Sequence, residues 1–98
     1  MSELNIVVVL RAKAGKEDEL RRDLKVVTDE SRKEDGSLNY NLYVDRNDPG
    51  RFVFVEHWAS QEHRDRHHNE SAHIRHFHEN GVKNVEATEF AFFLDRVE

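Results

Sequence analysis

All seven histidines of this chain fall between His57 and His78. An ordinary imidazole titrates near pH ~6.5, so at neutral pH it can take a proton from a substrate and later return it. His63 and His67 stand four residues apart and His73 and His76 three apart, so on a helix each pair shares a face, as metal ligands would. No His-Glu-x-x-His pattern accompanies either pair, so no metal is expected, and His63, His76 and His78 are expected to be solvated. A histidine of this segment that faces inward would be the candidate for acid–base chemistry.

Other residues could surround such a base. Glu56 and Trp58 share a strand face with Phe52 and Phe54, by two-residue alternation. An acid at the end of that apolar row must be paired if it is buried, to a histidine it orients or to an arginine. Trp58 could wall a flat aromatic substrate, although a lone tryptophan in a small chain is more often core. Tyr40 is expected to face inward with Leu38 and Leu42, leaving Asn39, Asn41 and Tyr43 on the opposite face. Phe54 and Phe77 complete the expected substrate-binding set of Tyr40, Phe54, Glu56, Trp58 and Phe77. Arg32 and Glu34 could border the pocket mouth, but charged helix ends are usually solvated.

The elements that must position these residues follow from periodicity. Asn5 to Ala12 is an apolar strand ending at Ala14-Gly15. Lys16 to Glu34 is an amphipathic helix with Leu20, Leu24, Val27 and Ser31 on one face, stopped by Asp35-Gly36. Leu38 to Val44 alternates as a strand, Asn47-Asp48-Pro49-Gly50 signals a turn, and Arg51 to Trp58 is the second arm of a hairpin. Ser60 caps a helix from Gln61 that breaks or bends near Asn69-Glu70-Ser71 and continues through Ile74 and Phe77 to Asn80-Gly81. Val85 to Arg96 is a last strand. The order β-α-β-β-α-β predicts a ferredoxin-like α+β fold, an antiparallel sheet with helices on one face. Ile6, Val8 and Leu10 oppose Val7 and Val9, so both faces of the first strand are apolar, as are those of 52–55. A second copy covering the free face, a homodimer, is the simplest answer.

Composition excludes several functions. The 98 residues are expected to form one domain, 1–98. A net charge of −5, with Lys and Arg interleaved among acids, argues against a nucleic-acid partner. The absence of cysteine removes disulfides, thiolate metal sites and cysteine nucleophiles. No basic-then-apolar leader and no membrane-length apolar run is visible, so a cytoplasmic protein without a membrane partner is expected.

Four stretches, in order, resemble the antibiotic biosynthesis monooxygenase family: Ala14-Gly15-Lys16-Glu17-Asp18-Glu19-Leu20, Glu34-Asp35-Gly36-Ser37-Leu38-Asn39-Tyr40, Phe52-Val53-Phe54-Val55-Glu56-His57-Trp58-Ala59-Ser60 and Ser71-Ala72-His73-Ile74. The resemblance implies a dimeric α/β barrel with a pocket between sheet and helices. It also implies direct oxidation of quinols or polycyclic phenols by O2 without metal, flavin or haem. The family's helix histidine falls on His67 when counted from Trp58 and on His68 when counted back from His73, because this helix carries one extra residue. His73 resembles the family's second histidine, which makes His67, His68 and His73 the expected catalytic set. The Asn-Trp-His triad of distant haem-degrading relatives is broken here, since its positions fall near Val8, His68 and His78. Fold likeness alone leaves two other readings: an isomerase gripping a phosphate with Arg32, Arg75 and His73, or a non-catalytic small-ligand module.

Overall fold

In the computed structural model, which describes residues 2–98, the apolar runs become strands and the amphipathic stretches helices. The order is β1 (Leu4–Ala12), α1 (Glu17–Ser31), β2 (Ser37–Asp45), β3 (Asp48–Trp58), α2 (Gln61–Glu70), α3 (Ala72–Asn80), a 3-10 turn (Val82–Asn84) and β4 (Val85–Leu94). The strands form one sheet in the order β2-β3-β1-β4, with every neighbouring pair antiparallel. This is the α+β, ferredoxin-like arrangement that the element order predicts.

Strand alternation then sorts the side chains. Leu4, Ile6, Leu10 and Ala12 of β1 and Phe52, Phe54 and Trp58 of β3 are buried, packed in one core with Leu20, Leu24 and Val27 of α1 and Ile74 of α3. On the other sheet face Val7, Val9 and Val53 are half-buried, while Tyr43, Val55, Phe90 and Phe92 are exposed. Phe90 and Phe92 stack with ring centroids 5.7 Å apart. Beyond this apolar patch Arg11 and Arg51 stand opposite each other across β1 and β3. Their like charges are neutralised by Asp48 on Arg11 (2.7 Å), Asp45 on Arg51 (3.0 Å) and Glu89 between them (3.3 and 3.0 Å).

Several boundaries differ from expectation, each for a local reason. The hairpin turn is Arg46-Asn47, with the Asn47 N–H bonded to Asp45 Oδ1 at 2.9 Å, and not the tetrad around Pro49. Pro49 instead opens β3 where the β2 register slips from Val44↔Phe52 to Asp45↔Asp48, a bulge in which its missing N–H breaks no ladder bond. Leu38 does not share a face with Tyr40. Ser37 pairs with Trp58 and Asn39 with His57, so Leu38 is the extra residue of a bulge and is exposed, whereas Tyr40 stays inward and buried. The second helical stretch does break within the expected Asn69-Glu70-Ser71, where Ser71 is extended at φ −75° and ψ 130° and separates α2 from α3. β4 stops at Leu94, short of Arg96, and α1 stops at Ser31, short of Glu34.

The segment after α1 closes through Gly36 at φ +84°, a left-handed value that costs an L-residue about 1–2 kcal/mol. A Cβ there would also lie 2.2 Å from the ring of His63. Gly36→Ala is therefore expected to lower unfolding free energy by at least that amount in urea titration. An unchanged midpoint would show that the His63 ring moves away freely and that the turn relaxes.

Candidate active site

α2 is capped by Ser60, whose hydroxyl accepts the His63 N–H at 3.2 Å. That cap sets the helix's rotation, and the i, i+3 spacing brings Arg64 and His67 to the sheet side. His67 is 5% exposed, with its ring 4.7 Å from the Trp58 ring and 5.5 Å from the Tyr40 ring. His68 is exposed at the rim, 6.0 Å from the His78 ring. Both adjacent histidines therefore border the same cavity, but the helix buries His67 and leaves His68 exposed at its rim.

The carboxylate that holds His67 comes from the α1–β2 connection. Glu34 Oε1 lies 2.6 Å from His67 Nδ1 and 3.0 Å from His73 Nε2, and Ser71 Oγ donates to Glu34 Oε2 at 2.5 Å. His73 Nε2 also lies 3.1 Å from Ser31 Oγ. An ionised carboxylate only accepts, so it selects the tautomer of His67 with the proton on Nδ1 and leaves Nε2 with a free lone pair. Burial pulls the His67 pKa below its ordinary value, Glu34 opposes that, and His73 and Arg64 add to the depression. Burial thus favours the neutral form of this imidazole.

His67 borders a cavity of about 280 Å³ between the sheet and the helices, whereas Glu34 lines a separate outer cleft. Tyr40, Phe54, Glu56 and Phe77 line the same cavity, joined by Arg64. Trp58 does not: it is fully buried behind His67, in the core. Glu56 is paired with neither a histidine nor an arginine by hydrogen bond. It accepts from Trp58 Nε1 at 2.9 Å. Burial raises its pKa, opposed by that hydrogen bond and by the charge of Arg64. The Arg64 guanidinium lies 4.8 Å from the Phe93 ring centroid. Burial also raises the Tyr40 phenol, which remains neutral.

Neither His63 nor His76 joins the ligand-type cluster found among the described residues. His63 is half-buried against Gly36 rather than solvated, with Nδ1 2.7 Å from Ser60 Oγ, and His76 lies exposed beside Asn80. The side chains that do converge are Glu34, His67 and His73, from three separate segments. Glu34 was expected at the pocket mouth or in solvent; it is instead the hub of this network because α1 ends early and the chain turns inward. Arg32, expected among the phosphate ligands, donates to Tyr40 O at 2.8 Å and to Asn41 Oδ1 at 3.3 Å. Arg32, Arg75 and His73 do not line the cavity. Arg64 escaped sequence reading altogether, although its i, i+3 spacing from His67 was the signal that could have found it.

The fold and this half-open, histidine-bearing cavity are those of a ferredoxin-like α+β domain with a pocket between sheet and helices. The sequence pattern of the antibiotic biosynthesis monooxygenase family matches residues 4–80, and the chain belongs to that family. Among solved structures it is similar to PA3566 of Pseudomonas aeruginosa, at 26% identity over 100% of this chain and 97% of that one, with a TM-score of 0.92. It is also similar to SO0527 of Shewanella oneidensis, at 25% identity over 95% and 91% of the two chains, TM-score 0.84. A structure described as an antibiotic biosynthesis monooxygenase shares the fold at 24% identity, covering 97% and 99%, TM-score 0.89. No curated protein matches the chain. Among the described residues no helix is long and apolar enough to cross a membrane.

Proposed function

We propose that this protein is a cofactor-independent monooxygenase that oxidises a quinol or similar electron-rich aromatic with O2, using His67 as general base. The observation that carries this reading is the buried, Glu34-held imidazole at an apolar cavity. His67 Nε2 takes a phenolic proton, and the phenolate gives up electrons to O2 far more readily than the phenol. One oxygen atom then becomes a ring carbonyl, and the other leaves as water with the displaced ring hydrogen and the phenolic proton. The substrate supplies all the electrons, so no external reductant enters. Tyr40, Phe54 and Phe77 wall the ring and exclude water, which strengthens the attraction of Arg64 for the phenolate. Glu56 sits beside that cation. Trp58 backs the base and His73 positions Glu34, while His68 stands at the rim.

The test is oxygen uptake by chelator-treated protein with a panel of quinols, beside His67→Gln. Uptake above the spontaneous rate that disappears in the variant supports the reading. No uptake with any quinol sinks it.

The same reading takes residues 1–98 as one cytoplasmic domain that pairs with a second copy through the free sheet face. Phe90 and Phe92 are 56% and 49% exposed, and the Arg11/Arg51 ion-pair cluster supplies a polar rim. Phe92→Glu is expected to convert a dimer to a monomer at micromolar concentration in sedimentation equilibrium. A monomeric unmodified protein would rule the pairing out.

A further inference from the structure

The Glu34–His67–His73 cluster has a second capability. Its three ligand atoms, one per residue, lie within 4.8 Å of one another. Around a tetrahedral zinc, with bonds of about 2.0–2.2 Å, ligand atoms stand about 3.4 Å apart. The present 2.6 and 3.0 Å contacts to Glu34 Oε1 need only a small outward adjustment to admit an ion. Two imidazoles and one carboxylate suit a borderline first-row ion, whereas magnesium and calcium prefer oxygen donors. The ligands come from the α1–β2 connection, α2 and α3, and Glu34 and His73 line the outer cleft, so an ion has a path from solvent.

We infer that Glu34, His67 and His73 form a zinc-class divalent-cation site, entered from the outer cleft, whose occupation is incompatible with His67 acting as a base. A neutral imidazole carries one N–H. When Nδ1 gives its lone pair to a metal, the ring proton must sit on Nε2, the nitrogen that the proposed function uses as the base. His67 then has no lone pair to offer a phenol. The inhibitory half of this inference rests on the proposed function; the site itself does not.

Untagged, chelator-treated protein titrated with Co2+ should develop the visible absorption of low-coordinate cobalt at one equivalent per chain, and Zn2+ should displace it. Glu34→Gln and His73→Ala should each weaken binding by more than about 100-fold, the upper end of what even an outer partner is worth. His76→Ala, on the exposed face of α3, should leave the affinity unchanged. If the first two variants fail to fold, nitrogen-15 spectra of the histidine rings in the unmodified protein still decide. Zn2+ should move the His67 proton from Nδ1 to Nε2. Absence of the cobalt band, retention of binding in Glu34→Gln and His73→Ala, loss in His76→Ala, or an unmoved proton each overturns the site. Zn2+ that binds here yet leaves quinol turnover intact overturns the incompatibility with the base and, with it, the role of His67. If metal-free protein turns over no quinol, the proposed function falls while the cobalt and nitrogen-15 results still judge the site.

Discussion

His67→Gln is expected to lower quinol turnover by about 10²–10⁴-fold, the usual contribution of a positioned general base. Glutamine roughly preserves the volume packed between Trp58 and Tyr40 and can still donate toward Glu34, so circular dichroism and the unfolding midpoint should change little. His68→Ala should alter turnover by less than about 10-fold, because that ring lies outside the contact that selects a base. Equal losses in the two variants would refute the assignment. The pH dependence follows from the direction of the His67 shift. The base works when neutral, and burial holds its pKa below the ordinary value, so kcat/KM of metal-free protein should stay level through neutrality. It should fall only on acidification below ~6.5, the ordinary imidazole value. Glu34 raises the pKa of His67, so Glu34→Gln should move this acid limb further down as well as slowing the reaction. A limb displaced upward would show that another group is titrating.

Trp58→Ala is expected to destabilise the protein by about 3–5 kcal/mol, the range for emptying a fully buried aromatic site. For a chain of this size that is a large share of total stability. Trp58→Phe separates packing from hydrogen bonding, since it keeps most of the ring but removes the Nε1–H that Glu56 accepts. Leaving that buried carboxylate without its donor should cost about 1–3 kcal/mol. The loss should depend on pH. Burial raises the folded-state pKa of Glu56 above its unfolded value, so Glu56 favours the folded state below the unfolded value, and that advantage disappears as pH rises through the folded one. Without the indole donor the pKa rises further, and the deficit in urea unfolding should be larger at pH 8 than at pH 5. An equal deficit at both would show that Glu56 does not depend on Trp58.

Much of the fold was legible because strand and helix periods are local. Leu20, Leu24 and Val27 repeat at helical spacing, 52–58 alternates, and Ser60 reads as a cap, so elements and order followed directly. The slips came where one residue breaks a period. A bulge at Leu38 cannot be seen in an alternating sequence, because both sides of the break remain alternating.

The chain's own residue types determined that an imidazole is available, that a sheet with two apolar faces must form, and that Phe54, Tyr40 and Phe77 lie on faces able to enclose an apolar ligand. Only the tertiary structure decided that His67 and not its neighbour is buried, since an ambiguity of one position on a helix is about 100° of rotation and is resolved by packing against Trp58. It also decided that Glu34 is the partner of His67, and His73 the third member. Those three residues are separated along the chain by 33 and by 6 positions, and no local period links them. Their meeting depends on where α1 stops and how α2 and α3 dock, which are properties of the packed whole.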